Sequence, residues 1–289
     1  MAITRLVAVF MSACASATTS LAPEVLADGA ASHAGVASAS LCADAYVLAV
    51  TPPEAIAALS WQVDQPVSAA PPWSRGVETA WPDAARLLRL SPDLTVFGTG
   101  EAGRTGRLLE RAGLSVFELD WADDFDAVRD NLLALGHATG ESDLAQAAIA
   151  ELDARLAILS ARAASRARAP RIAYLSASGG SAGRGTYVDA AIRAAGGINV
   201  VAERGTIGWT RSDPEFALTL DADIVVTSFF VDGYASTLNR ARRHAAYRRL
   251  LDRPARVDIP AGLWPCAGPR LVDATELIAD AIDAWEDGA

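Results

Sequence analysis

Lysine is absent from this chain: the 25 basic residues are all arginine. That removes the phosphate-gripping lysine of a P-loop, the Schiff-base lysine and every lysine nucleophile at once. Histidine is nearly absent too. His33, His137 and His244 are the whole supply, too few and too scattered for a histidine-built zinc site, and no HExxH occurs. An excess of positive charge is also missing. At a formal net charge of −10, with no basic stripe, the chain lacks the phosphate-binding surface of a nucleic-acid partner. Much standard enzyme chemistry is thus without its parts.

What remains is globular. The 289 residues are 51% hydrophobic and 21% charged, enough for a substantial core in one large α/β unit or two lobes. The N-terminus reads as an export signal. One early charge, Arg5, precedes an apolar run from Leu6 to Ala13 and then small residues. That run is far shorter than the ~20 residues of a membrane span. Cleavage can follow Ala15, Ala17 or Ala27. Alternatively Met11-Ser12-Ala13-Cys14 acts as a lipobox and Cys14 carries a lipid. Residues 1–32 are accordingly expected to be signal and tether.

Beyond the tether, strands and helices alternate. Val36–Ser40 reads as a strand, and Cys42–Leu48 starts a helix. A Pro/Ser/Ala/Trp loop runs from Pro66 to Gly76, Trp81–Leu90 is helical, and Leu94–Phe97 is a buried strand. Phe125, Val128, Leu132 and Leu135 repeat at helical spacing. Leu144, Ala148, Leu152, Leu156 and Leu159 continue as one helix of over twenty residues. Strands resume at Arg171–Leu175, Asp223–Thr227 and Arg256–Ile259, and Val272–Trp285 is a terminal helix. The expected fold is α/β: two sandwich lobes, 33–140 and 170–289, joined by a connecting helix over 141–169. A ligand cleft lies between the lobes, outside strand ends.

One motif pulls another way. After the Leu94 strand come Gly98-x-Gly100-x-x-Gly103, a short helix, a second strand at Ser115–Leu119 and then Asp120. This is the order of a dinucleotide-binding βαβ unit, with Asp120 placed for a ribose. Glycines also serve a tight strand-to-helix turn with no phosphate present. Two βα units precede this motif, whereas the dinucleotide fingerprint normally sits in the first. Catalysis finds little else. No histidine is placed to activate Ser176 or Ser178, and Asp120, Asp123, Asp124 and Asp126 fit helix capping and solvation better than a glycosidase carboxylate pair.

Several stretches carry a family resemblance in order. They are Ser40-Leu41-Cys42-Ala43-Asp44, Leu88-Arg89-Leu90-Ser91-Pro92-Asp93-Leu94, Gly183-Arg184-Gly185-Thr186 with Ala195-Gly196-Gly197-Ile198-Asn199, and Leu263-Trp264-Pro265-Cys266-Ala267-Gly268-Pro269-Arg270. From about Val36 to Trp285 the chain resembles the periplasmic substrate-binding proteins of ABC importers for vitamin B12 and ferric siderophores. The resemblance implies a non-enzymatic, monomeric carrier with no cofactor and no resident metal. It would capture a corrinoid, ferric siderophore or haem and deliver it to an ABC permease and its ATPase. Ligand contacts are then expected at Trp73, Trp81, Phe97, Trp209 and Trp264, whose rings suit a large planar chelate. Arg184 is a further candidate, as a partner for a ligand carboxylate or phosphate; Arg270 is a weaker one. Arg240, Arg242, Arg243, Arg248 and Arg249 read as a solvated helix face. Cys42 and Cys266 would meet at the cleft as a disulfide, as ligand contacts or as inert thiols. Glu215 matches the family's permease-docking glutamate. Glu101 lies within two residues of the first-lobe equivalent, where Gly103 stands instead.

Overall fold

The computed structural model describes residues 35–68, 70–211, 213–228, 244–253, 255–264 and 267–288. The export and lipidation signals around Cys14 lie outside the described residues, as do Cys266 and the arginines at 240, 242 and 243.

Short apolar runs bounded by turn residues build the first lobe. Val36–Ser38 (β1), Ile56–Ser60 (β2), Thr79–Ala80 (β3), Leu94–Phe97 (β4) and Ser115–Glu118 (β5) form a parallel sheet in the order β3-β2-β1-β4-β5. β1 and β4 are buried along their whole length, as strands covered on both faces must be. β1 pairs with β2 on one side and β4 on the other, so the connections leaving β1 and β4 diverge. An α/β sheet opens its crevice at such a switch point.

Helices follow where caps allow. Ser40 caps Leu41–Val50 (α1), Asp83 caps Ala84–Leu90 (α2), and Asp124 caps Phe125–Thr139 (α4); each side chain accepts an amide hydrogen bond from the first turn. Between the last two, Gly103–Arg111 forms α3. Gly140 ends α4 with φ of 79°, a left-handed value that favours glycine. Ser142–Ser165 (α5) is the long helix the leucine spacing predicts.

The second lobe has a parallel sheet in the order β11-β10-β6-β8, from Arg171–Ser176 (β6), Ile198–Asn199 (β8), Ile224–Ser228 (β10) and Arg256–Ile259 (β11). Gly180–Ala182 (β7) pairs antiparallel with Trp209–Arg211 (β9). Around these lie Tyr187–Ala194 (α6), Val200–Glu203 (α7), Pro214–Thr219 (α8), Ala245–Leu251 (α9) and Leu271–Asp287 (α10). Arg248 and Arg249 are solvent-exposed on α9, as the helix-face reading expects.

α10 locks onto α5 through arginine–carboxylate pairs. Arg155 meets Asp273 and Glu276 at 2.5 and 2.6 Å, and Arg162 meets Asp280 and Asp283 at 2.8 and 2.5 Å. Arg166, whose side chain is only 4% exposed, meets Asp283 at 2.6 Å. It also donates to the Ala195 and Ala279 carbonyls. The spacing of seven residues on each helix keeps the pairs on one face, two turns apart.

Candidate functional site

The strands of each lobe end in loops rich in aromatic side chains. Trp61 follows β2 and Trp81 follows β3. Their rings stack in parallel, 4.8 Å apart and 8° from coplanar. Both stay about two-fifths exposed, at 37% and 41%. The Arg86 guanidinium lies 5.0 Å from the Trp81 ring centre and pairs with Asp83, which holds the outer ring of the stack in place. After β5 comes Asp120-Trp121-Ala122-Asp123, with Trp121 62% exposed. Asn131 on α4 is buried, and its amide both donates to the Asp120 carbonyl and accepts from the Asp120 N–H, each at 2.9 Å. The loop that presents Trp121 is therefore pinned.

In the second lobe Trp209 opens β9 and is half-exposed. Its ring packs edge-on against Tyr187 at 5.0 Å and Tyr174 at 6.3 Å. Trp264 sits wholly buried behind them, 5.9 Å from Tyr174 and 5.8 Å from Tyr187. The Tyr174 hydroxyl bonds to that of Ser228 at 2.7 Å, and burial pushes its phenol up to about 12. The Tyr187 phenol is also raised, first by burial, then by Tyr174 and by the charge of Asp123. Asp123 belongs to the first lobe, so the loop after β5 lies within electrostatic reach of this aromatic shelf. The lobes meet again where the Tyr46 hydroxyl on α1 donates to the Ala267 carbonyl at 2.8 Å.

The expected contacts divide. Trp81 and Trp209 stand exposed at strand ends. Phe97 does not: it is fully buried in a cluster with Ala39, Leu87 and Leu109, because it is the last inward-facing residue of β4. Trp264 is likewise a support for Trp209 and not a ligand-facing ring. Trp73 lies on a 3-10 turn, Pro72–Ser74. It lines a separate cavity of 220 Å³ with Leu41, Ala45, Leu48, Pro269 and Arg270. Arg184 is exposed beside a groove formed with Asp189, Arg193 and Asn199, on the β8 side of its lobe. Cys42 is half-buried and disulfide-bonded, which removes it as a thiolate ligand. Trp61 and Trp121 also stand exposed after first-lobe strands, and Tyr187 braces Trp209, although sequence patterns did not single them out. Trp61 directly follows a strand, which is the signal that could have found it.

The glycine turn is occupied from within. The Gly98 N–H, which would face a pyrophosphate in a dinucleotide fold, points at the Ser40 hydroxyl at 3.1 Å and the Glu101 carboxylate at 3.2 Å. A phosphate there would meet the negative charge of Glu101. Glu101 itself is exposed but turned back onto its own loop, and Glu215 is exposed in the first turn of α8. Among the described residues no cluster of three histidine, cysteine or acidic side chains is placed to hold a metal ion.

Two parallel α/β lobes on a long helix, with exposed aromatic rings at strand ends of each, define a two-lobe solute-binding protein. The chain belongs to the periplasmic binding protein family, whose model matches residues 52–262. It is 32% identical over 153 residues to a cobalamin-binding protein of Halobacterium salinarum, covering 52% of this chain and 42% of that one. The match thus spans under half the length of the curated relative. A periplasmic haem-binding protein from Pseudomonas aeruginosa superposes with a TM-score of 0.66 at 25% identity, over 86% of this chain and 91% of the other. The periplasmic vitamin B12-binding protein BtuF of Vibrio cholerae does so with a TM-score of 0.62 at 20% identity, over 86% and 96%.

Proposed function

We propose that this protein is the extracytoplasmic solute-binding component of an ABC importer. It captures a metal chelate of the corrinoid, ferric-siderophore or haem class between its lobes and delivers it to the permease, whose ATPase supplies the energy. The observation that carries this is the set of exposed aromatic rings beside strand ends in both lobes: Trp61, Trp81 and Trp121 in one, and Trp209 braced by Tyr187 in the other. A bulky, largely flat chelate gains apolar contact from such rings without covalent chemistry. The long helix and its arginine clamps suit a carrier that binds with little lobe movement. Glu215, free on the surface of α8, is the stronger permease-docking candidate. Glu101 first has to leave its bond to Gly98. The amino-terminal segment fits export, with Cys14 as a lipid attachment point if the lipobox is used, and the carrier acts as a monomer.

Tryptophan fluorescence of the purified protein, titrated with cobalamin, a ferric hydroxamate, haemin and NAD and corrected for ligand absorbance, tests this. Saturable quenching by one chelate at micromolar affinity or tighter supports the carrier. A response to NAD alone overturns it in favour of a dinucleotide enzyme using the glycine turn.

A further inference from the structure

The Tyr46 side chain crosses from one lobe to the other. It is buried on α1, and its hydroxyl donates to the Ala267 carbonyl, just before α10, at 2.8 Å. Ala267, also buried, holds a left-handed φ of 43°, a conformation that alanine keeps only where its surroundings impose it. The next residue presses close to the same helix: a Cβ at Gly268 would begin 3.0 Å from that of Ala45. Trp264 stands three residues before Ala267. Its ring packs edge-on against Tyr174 and Tyr187, and these two brace the exposed Trp209. From the first lobe Asn131 reaches the same hydroxyl: burial pushes the Tyr46 phenol up, and a hydrogen bond with the Asn131 side chain works against that rise. Asn131 in turn pins the Asp120 main chain beside Trp121. One buried hydroxyl thus lies where the supports of Trp121 and of Trp209 meet.

We propose that Tyr46 is a positioning residue for the ligand site, and that its hydroxyl fixes the spacing between Trp121 in the first lobe and Trp209 in the second. The inference rests on the carrier reading above and adds to it a residue buried out of a ligand's reach. A close-packed interior transmits a shift instead of absorbing it, and Tyr46, Ala267, Trp264 and Tyr174 belong to one continuous buried cluster. Without the hydroxyl the buried Ala267 carbonyl loses the Tyr46 bond, which is costly away from water. The left-handed turn also loses what holds it. The segment then relaxes, and Trp264 shifts beneath Tyr174 and Tyr187. A flat ligand that touches rings of both lobes needs them at a set distance, because a gap of about 1 Å already forfeits a large share of each contact.

The experiment uses Tyr46→Phe, Trp121→Phe and Trp209→Phe, with Tyr46→Phe also combined with each tryptophan variant. Tyr46→Phe keeps the buried ring, so the fold should survive, as far-ultraviolet circular dichroism checks. The full chain is kept oxidised, with Cys42 in its disulfide. Stopped flow follows the dissociation of cobalamin and haemin. Acrylamide quenching reports Trp209 as the difference between proteins with and without it. Tyr46→Phe is expected to speed dissociation of whichever chelate the wild type holds by about fivefold, the scale of one hydrogen bond, and to raise the quenching of Trp209. In either tryptophan-free background the same substitution should change dissociation by less than about twofold, because residues that act as a unit are not additive. Lower stability with unchanged dissociation and unchanged quenching makes Tyr46 structural only and overturns the proposal. An undiminished effect in both tryptophan backgrounds overturns it too. If the wild type holds neither chelate, the carrier reading fails, and the quenching of Trp209 alone decides the positioning role.

Discussion

A side chain added at Gly98 would begin 2.9 Å from the Cβ of Cys42 and 2.6 Å from a carboxylate oxygen of Glu101. The glycine is there so that α1 can pack against the end of β4, with the Ser40 hydroxyl between them. Gly98→Ala should therefore destabilise the protein by about 1–3 kcal/mol, the usual effect of overpacking, read as a lower midpoint in urea. Adding Glu101→Ala should not restore the midpoint, because the Cβ of Cys42 is fixed to a helix and cannot swing away.

The clamps between α5 and α10 should differ in weight. Arg162 is about one-third exposed, and Arg162→Ala should cost under about 1 kcal/mol, as screened surface pairs do. Arg166→Ala should cost about 3 kcal/mol, since it strands the Ala195 and Ala279 carbonyls and one side of Asp283. Arg166→Lys should recover little of this, because an ammonium cannot serve three separated acceptors with the geometry of a guanidinium. Chemical denaturation of the three variants side by side checks the order.

Two carboxyls should act in opposite directions on acid stability. At Asp283, burial works to raise the pKa, but hydrogen bonds from Arg162 and Arg166 outweigh it and hold the group below its ordinary value. Its contribution is complete above the ordinary carboxylate range, near pH ~4, and is lost as the pH falls through the lower folded value. Asp44 is raised by burial, despite hydrogen bonds from Ser38 and Ser60. Its stabilising effect is full below pH ~4 and declines as the pH rises from there towards its folded value. Asp44→Asn keeps an acceptor for the Ser60 N–H, so it should fold. It should abolish the loss of stability on the rising limb and leave the acid limb intact. Unfolding midpoints between about pH 3 and 7 decide the matter.

Alkylation should leave Cys42 unlabelled until a reductant is added, because it is disulfide-bonded. The chain has three cysteines. Cleavage after Ala15, Ala17 or Ala27 removes Cys14, and a non-reducing peptide map of that processed chain should then link Cys42 to Cys266. Full labelling of Cys42 without reductant would contradict the bond.

The sequence was most informative where one physical signal acts alone. Leucine spacing gave the long helix to within a few residues, since Ser142–Ser165 is long enough for its period to show. Buried strands such as Leu94–Phe97 and Arg171–Leu175 are visible as apolar runs. Site residues were harder. Phe97 and Trp81 both lie at strand ends and both are aromatic, yet one is core and one is exposed, because facing depends on pleat and on the helices that cover each strand. Trp121 sits among acidic residues whose evident role is helix capping, so its exposure had no local signature. Trp264 needed its neighbours Tyr174 and Tyr187 before its burial could be seen. The Gly98 turn mimicked a nucleotide site because a tight strand-to-helix turn asks for glycine whether or not a phosphate is present.

The clamp on α5 also has a consequence for how the protein comes into being. α10 is made from Leu271–Asp287, close to the end of the chain, and it supplies every carboxylate that Arg162 and Arg166 grip. During synthesis those arginines emerge more than a hundred residues before their partners. The first lobe can gather its own sheet as it appears. The carboxylate clamps on Arg162 and Arg166 therefore close only once α10 has been made, so a chain cut short before Leu271 would carry every strand of the described residues and leave both arginines without their carboxylates.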